Sequence, residues 1–329
     1  MSVILPVYNA EAHLAEALQS LINQTYRNLE ILVLDDGSTD QSGKVVASFQ
    51  DNRIRYIRRT ENLGLIATLN EGLELARGTF IARLDADDIA DPSRIEKQVK
   101  AMLQHPQVGI VGSWVQNFGS IQSIVRYPVS DPEIRWQLMY RCSICHSSAM
   151  FRASVIKSAP PLRFDSDYQH AEDYELWTRI IQRSKAMNLK EPLTLVRHHE
   201  QSVSKKYNEI QLHNTLRIIQ RTFSQFGIKA TFEEIGLFRK FADIYFNFTI
   251  EELDVLIPFL IRVVESDKLE DYIRKRIGLL VWHLMLNNRL LSYQRKKFIV
   301  SQFQKKISLE LSLLWKHRLL LSHTKNKFS

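Results

Sequence analysis

Thr79-Phe80-Ile81-Ala82-Arg83-Leu84-Asp85-Ala86-Asp87-Asp88 sets an apolar run directly against three carboxylates. A short apolar run reads as a buried strand, and its end as the loop where polar groups gather. Carboxylate oxygens are hard ligands suited to Mg²⁺ or Mn²⁺, ions that keep waters or take substrate phosphates as their remaining ligands. The stretch therefore points to a metal at a strand end and to a phosphate-bearing substrate. Taken alone, the same residues also suit an acidic loop capping the helix that begins near Pro92. The surrounding pattern decides between the two.

Working outward, Ser2-Val3-Ile4-Leu5 reads as a buried strand, and residues 11–22, with Leu14, Leu18, Leu21 and Ile22 at helical spacing, as an amphipathic helix. The apolar run 29–34 ends in Asp35-Asp36-Gly37-Ser38. A helix around 41–49, a strand at 53–57 and a helix over 65–76 lead into the strand 79–84. Strands separated by helices predict an α/β fold with a parallel sheet and right-handed crossovers, and such sheets bind ligands at the carboxyl ends of their strands. Three ends carry polar clusters, Pro6-Val7-Tyr8-Asn9, Asp35-Asp36-Gly37-Ser38 and Asp85-Ala86-Asp87-Asp88, which the fold would bring to one edge.

These motifs, in this order, resemble those of the family 2 glycosyltransferases, whose nucleotide-sugar-binding fold is GT-A. The donor half is matched by residues 2–9, Gln24-Thr25, residues 34–40, Asn62-Leu63-Gly64 and Ala76-Arg77-Gly78. The acceptor half is matched by residues 146–152, Ala171-Glu172-Asp173-Tyr174-Glu175-Leu176-Trp177 and Arg197-His198-His199, with Ser202 and Ser204 beyond. The resemblance spans residues 1–205. It implies a Rossmann-like, mostly parallel sheet flanked by helices.

Carried over residue by residue, it assigns Pro6, Tyr8 and Glu11 to the floor of the nucleotide pocket and Asp36 to the imide of a uracil-type base. A carboxylate accepts from an imide N–H, which favours a uridine or thymidine donor. Asp35 and Asp36 also suit a turn with Gly37 and the N-cap of the next helix. Asn62 joins the donor site. Asp87 is the implied metal ligand at the donor diphosphate, with Asp85 and Asp88 supporting the ribose, the ion or its waters. His199 is a candidate further ligand, with His198 adjacent, and Ser202, Ser204 and Lys205 would follow on a loop closing over the donor.

Breaking a nucleotide-sugar bond builds negative charge on the leaving oxygen, which a metal or positive groups must neutralise. The attacking hydroxyl must lose its proton, and a placed carboxylate serving as general base is worth about 10²–10⁴-fold in rate. The resemblance makes Asp173 that base, in a single displacement with inversion, and Glu172 its neighbour orienting the acceptor or the loop. On composition alone, Glu172, Asp173 and Glu175 are acidic residues in the first turn of a helix, a common electrostatic preference. One departure stands out: Leu69 precedes Asn70 where the family often carries an arginine. Arg83 or Arg77 is the candidate replacement at the diphosphate, and diphosphate binding otherwise leans on the metal.

Cys142-Ser143-Ile144-Cys145-His146 has the spacing of a haem-attachment site. No secretory signal precedes it, and a structural zinc needs four ligands where no second cysteine pair exists. Two cysteines in 329 residues fit a reducing cytoplasm. The His146 segment is expected to line the acceptor pocket instead.

Two domains are expected: a catalytic domain over 1–205 and an all-helical, basic domain over 206–329. Thr231 to Glu234 and Thr249 to Glu252 read as capping boxes that open helices there. The net charge of +8 belongs to this second half, where from Tyr272 onward 13 Lys and Arg face the single acid Glu310. Basic clusters interleaved with Leu, Ile, Phe and Trp suit an anionic membrane surface, and equally a solvated basic face. No motif indicates nucleic acid. No apolar run reaches the roughly 20 residues needed to cross a bilayer.

The expected activity is metal-dependent transfer of a sugar from a nucleoside-diphosphate donor, Mn²⁺ or Mg²⁺ assisting, to a hydroxyl of a glycan or lipid-linked acceptor in surface-polysaccharide biosynthesis. The expected location is cytoplasmic, with peripheral contact at the inner membrane face, and the helical tail suits a homo-oligomer interface as readily as a membrane foot. Two rivals stand beside this reading. A sugar-1-phosphate nucleotidyltransferase would want a glycine-rich loop after the first strand, and Pro6-Val7-Tyr8-Asn9 has none. An inactive sugar- or nucleotide-binding scaffold would more readily have lost Asp87 or Asp173.

Overall fold

The structure is a computed structural model that describes residues 1–198, 207–244, 247–288 and 291–304. His199, Ser202, Ser204, Lys205 and the tail from residue 305 lie outside the described residues. The chain divides into two compact units. One comprises Met1–Leu138 and Cys142–Thr215, the other Met139–Arg141 and the chain from Leu216 onward.

The first unit is built from alternating strands and helices: β1 (Ser2–Val7), α1 (Leu14–Ile22), β2 (Glu30–Asp35), α2 (Ser42–Ala47), β3 (Ile54–Arg58), α3 (Leu65–Leu75) and β4 (Phe80–Arg83). There follow β5 (Ile89–Ala90), α4 (Arg94–Gln104), β6 (Val108–Gly119), β7 (Ser123–Val125), α5 (Asp131–Leu138), β8 (Met150–Arg152), α6 (Ala153–Lys157), α7 (Glu172–Ile180) and β9 (Lys185–His198). Every residue of β1 is buried, so both of its faces must be covered. Val3, Leu5 and Val7 pack with Leu14, Leu18 and Leu21 of α1 and with Ile95, Val99 and Met102 of α4. The alternate residue Ile4 points to the other face, where it meets α3 at Gly72: a Cβ there would lie 2.7 Å from Ile4 Cγ2.

The strand order is β3-β2-β1-β4-β8-β6-β9-β5, with β7 pairing β6. The first four strands are parallel, as their helical crossovers require, while β8 runs antiparallel to both β4 and β6. The sheet is thus parallel in its donor half and mixed beyond it. Parallel pairing sends the ends of β1, β2 and β4 to one edge, and β9 brings a fourth strand end there through its pairing with β5.

A helix α8 (Asn208–Gln225) begins in the first unit and ends in the second. Its early residues are fastened locally, since Gln211 Nε2 donates to the carbonyl of His170 and Asn214 Nδ2 to that of Gln169. The second unit continues with α9 (Phe232–Ala242), α10 (Ile250–Glu265), α11 (Asp271–Asn287) and α12 (Tyr293–Gln304). Both expected capping boxes form: the Thr231 and Thr249 side chains accept from the N–H groups of Glu234 and Glu252, whose carboxylates reach back. Phe223, Phe238 and Phe259 meet edge-to-face at its centre, with ring centroids 5.1 to 6.0 Å apart.

Candidate active site

The carboxyl ends of β1, β2 and β4 open onto a cleft of about 890 Å³ whose walls include Pro6, Tyr8, Asn9, Asp36, Asn62, Asp85 and Asp87. At the β2 end, the Asp36 carboxylate accepts from the N–H groups of Leu63 at 3.0 Å and Gly64 at 2.8 Å and from Arg59 Nη1 at 2.8 Å. These bonds draw the loop at residues 62–64 to the rim of the cleft. A carboxylate has about four acceptor sites, so one remains for a ligand donor. Gly37 stands at φ +74°, and a Cβ there would come within 2.8 Å of the Glu61 carbonyl carbon, so only glycine lets the two loops approach. Asp35 serves the turn: it accepts from the Ser38 N–H and from the Tyr56 hydroxyl at 2.6 Å. Burial, then that bond, pushes the Tyr56 hydroxyl up to about 12. The adjacent aspartates therefore divide the turn-forming and ligand-facing roles between them.

Tyr8 stands half-exposed on the lip of the cleft. Glu11 does not line it. Its carboxylate accepts from the Gln41 N–H at 2.7 Å while its own N–H donates to Asp40, an arrangement that ties the start of α1 to that of α2. A residue after a strand end is drawn either to the cleft or to the neighbouring orphan helix N–H groups, and here the helix wins.

At the β4 end, Arg83 is buried and paired through two nitrogens with Asp85. Ser147 adds a hydroxyl to Asp85 at 2.8 Å and accepts the Asp85 N–H at 3.0 Å. Arg83 is thus occupied beneath the strand end rather than aimed at a diphosphate. Arg77 sits at the opposite edge, where its N–H donates to Ser2 Oγ and Glu30. Neither stands in for the missing family arginine. Asp85, Asp87 and Asp88 place carboxylate oxygens within 4.8 Å of one another, the grouping among the described residues that could share one ion. Burial, then the charges of Asp85 and Asp87, pushes Asp88 up to about 8. A divalent cation would relieve this repulsion, and an all-oxygen set suits Mg²⁺ or Mn²⁺.

The end of β9 clamps this loop. The Arg197 N–H donates to Asp88 at 2.9 Å, its Nε to the Asp87 carbonyl at 3.0 Å and its Nη2 to Glu16 at 2.8 Å, and its guanidinium lies over the Phe118 ring. Glu172 and Asp173 open α7. The Tyr174 N–H donates to Asp173 at 2.7 Å, and burial pushes Asp173 up to about 6 against the opposing pull of Arg83. Glu172 rises to about 7 through burial and the charge of Asp173. Glu172 lines a second cavity, of about 530 Å³, together with Leu63, Leu65, Asn70, Phe164 and His170. Asp173 itself lines neither cavity.

His146 lines neither cavity. Its ring packs against Phe164 and Trp177, and burial holds its pKa well below the usual histidine range. The segment's contribution is Ser147, which reaches Asp85. The two cysteines are free thiols that burial pushes up, to about 12 at Cys145, so they stay protonated and inert.

The family model for glycosyl transferase family 2 matches residues 2–158. A glycosyltransferase of Haemophilus influenzae is 36% identical over 234 residues, covering 67% of this chain and 72% of its own length. The chain belongs to glycosyltransferase family 2. This glycosyltransferase is also 30% identical over 243 residues to the Escherichia coli UDP-Glc:alpha-D-GlcNAc-diphosphoundecaprenol beta-1,3-glucosyltransferase WfaP, covering 72% of this chain and 91% of that one. Its fold is shared with Staphylococcus aureus TarS 1–349, crystallised in complex with UDP-GlcNAc, at a TM-score of 0.58 and 17% identity over 94% of this chain and 92% of that one. It therefore has the GT-A architecture with a helical region after it. Arg59 belongs to no motif read from the sequence, and Ser147 and Arg197, though inside matched motifs, find their carboxylate or carbonyl partners only across the fold.

Proposed function

We propose that this glycosyltransferase moves a sugar from a uridine-diphosphate donor to a hydroxyl of a lipid-linked glycan in surface-polysaccharide biosynthesis, with inversion and with Mn²⁺ or Mg²⁺ bound. The observation that carries this reading is one cleft lined by Asp36, Asp85 and Asp87 together with Pro6, Tyr8 and Asn62, the last two aspartates belonging to a group of three that could share one ion. Asp36 retains an acceptor site for an imide N–H, and Tyr8 offers a ring for the base to lie on. Asp85, Asp87 and Asp88 would hold the ion, which when bound neutralises charge growing on the leaving phosphate oxygen. Asp173 accepts the acceptor's hydroxyl proton as the new bond forms from that oxygen to the anomeric carbon and the bond to the diphosphate breaks. Glu172, held more strongly to its proton, donates to the acceptor or its loop. The named activity of WfaP, a UDP-Glc donor and a diphosphoundecaprenol-linked acceptor, supports the donor and acceptor classes.

The second unit supports contact with an anionic membrane. On α11, Tyr272, Lys275, Arg276, Leu279 and Leu286 are exposed, a mixture of basic and apolar side chains that suits a lipid headgroup surface.

The reading is tested by heat stabilisation of the purified protein with UDP, GDP, dTDP, CMP and ATP, each with and without Mn²⁺. UDP or dTDP should raise the melting temperature only when Mn²⁺ is present. A shift confined to GDP or ATP would remove the role of Asp36, and no shift with any nucleotide would favour an inactive scaffold.

A further inference from the structure

His170 adopts a left-handed backbone conformation, φ +64°, which is uncommon for a residue with a Cβ and which persists where surrounding contacts impose it. Here the contacts are visible. Gln211 Nε2 donates to the His170 carbonyl at 2.8 Å, Asn214 Nδ2 donates to the Gln169 carbonyl at 2.9 Å, and the Tyr207 ring stacks on the His170 ring with centroids 4.2 Å apart and planes 10° apart. Three side chains at the start of α8 are thus committed to holding one loop. That loop lies two residues before Glu172.

The two cavities share three lining residues, Gly64, Leu65 and His170. Of these, His170 alone brings a polar side chain. The donor reading orders the first cavity by chemistry: base near Asp36 and Tyr8, diphosphate near Asp85 and Asp87. The sugar, bonded to the far phosphate, then extends past the shared residues toward the second cavity, which Glu172 lines. A neutral imidazole offers one donor and one acceptor, the pairing that a sugar hydroxyl can answer on both counts. With one ring face covered by Tyr207, its edge is fixed in direction rather than free to rotate.

We infer that His170, oriented by Tyr207, contacts the transferred sugar and determines which sugar the donor site accepts. This inference rests on the uridine-diphosphate reading above. It assigns His170 a specificity role and Tyr207 a positioning role, neither in the bond-breaking step.

The test is calorimetric titration of UDP, UDP-glucose, UDP-galactose and UDP-N-acetylglucosamine into the full-length protein with Mn²⁺, for the wild type, His170→Gly and Tyr207→Leu. Glycine keeps the left-handed backbone while removing the ring. The wild type should bind one of the three nucleotide sugars more tightly than the others. His170→Gly should bind bare UDP within about twofold of wild type yet lose about tenfold in preference for that sugar, the effect of one well-placed hydrogen bond. Tyr207→Leu should shift the same ratio in the same direction. An unchanged sugar ratio in both variants, or an equal loss of UDP and nucleotide sugar in a folded variant, would overturn the inference while leaving the donor reading intact. Failure of the wild type to bind UDP at all would instead remove the donor reading, and this inference with it.

Discussion

Asp173 faces two demands that oppose each other: it must be charged to accept a proton, yet burial pushes it up to about 6, and Glu172 beside it to about 7. Both values lie above the ordinary carboxylate range, so between about pH 4 and 7 the native state binds more protons than the unfolded chain. The pair's contribution to stability is therefore present below about pH 4 and is lost as pH rises through 6 to 7. Activity runs the other way. Transfer should fall about tenfold per unit of pH below roughly 6, an apparent value that belongs to the pair rather than to one acid. Rate profiles measured with Mn²⁺ and melting curves measured without metal, both from pH 5 to 8, should slope in opposite directions; parallel slopes would mean the acids are not what titrates. Asp173→Asn should lower transfer by about 10²–10⁴-fold while leaving UDP binding unchanged. Wild-type turnover in that variant would end the base assignment.

At the scale of elements, the loop after β4 owes its shape to β9. Arg197 links Asp87, Asp88 and Glu16 in one guanidinium and one backbone N–H. Arg197→Ala keeps the backbone bond to Asp88 but removes those to the Asp87 carbonyl and Glu16. Groups that orient ligands from behind typically contribute about 10–100-fold in metal affinity. Mn²⁺ titrations followed by UDP-dependent stabilisation should show a loss of that size in the variant, and an unaltered Mn²⁺ midpoint would mean that β5 and Asp88 suffice to hold the loop. The order of strands and helices in the donor half is legible from periodicity, since buried parallel strands are continuous apolar runs and each crossover helix is amphipathic. The reversal at β8 is not, because three residues, Met150–Arg152, carry too little pattern to reveal direction.

At the scale of the molecule, the excess of positive charge belongs to the chain from Leu216 onward, and among the described residues no helix is long and apolar enough to cross a membrane. The proposed surface contact predicts co-sedimentation with phosphatidylglycerol vesicles at low ionic strength. Binding should fall steeply by about 0.5 M salt and be absent with phosphatidylcholine vesicles. Equal recovery with both lipids would leave the basic face as a solvated surface. Arg295→Glu combined with Lys297→Glu should weaken vesicle binding without changing UDP stabilisation, because these residues belong to the helical unit and the donor residues to the other.

Residues of the cleft are readable from the chain alone where strand ends and polar clusters coincide, as at Pro6, Tyr8, Asp36, Asp85 and Asp87, whereas Asn62, which also lines it, is singled out only by the family resemblance. The strand-end signal is local information, because a strand buried on both faces announces itself and its first polar residues must lie at its end. The fate of individual charges was not local. Arg83 alternates either outward or inward by sequence, and only its pairing with Asp85, itself bonded to Ser147 62 residues away, decides that it faces in. Glu11 turns to a helix N-terminus because Gln41 presents an unpaired N–H beside it. His170 acquires its place between two cavities from α8, whose partners lie 41 and 45 residues distant. Periodicity and composition determine which segments are buried, since burial is repeated along an element. Tertiary structure decides which donor meets which acceptor, since each such bond is a single event between residues that no spacing relates.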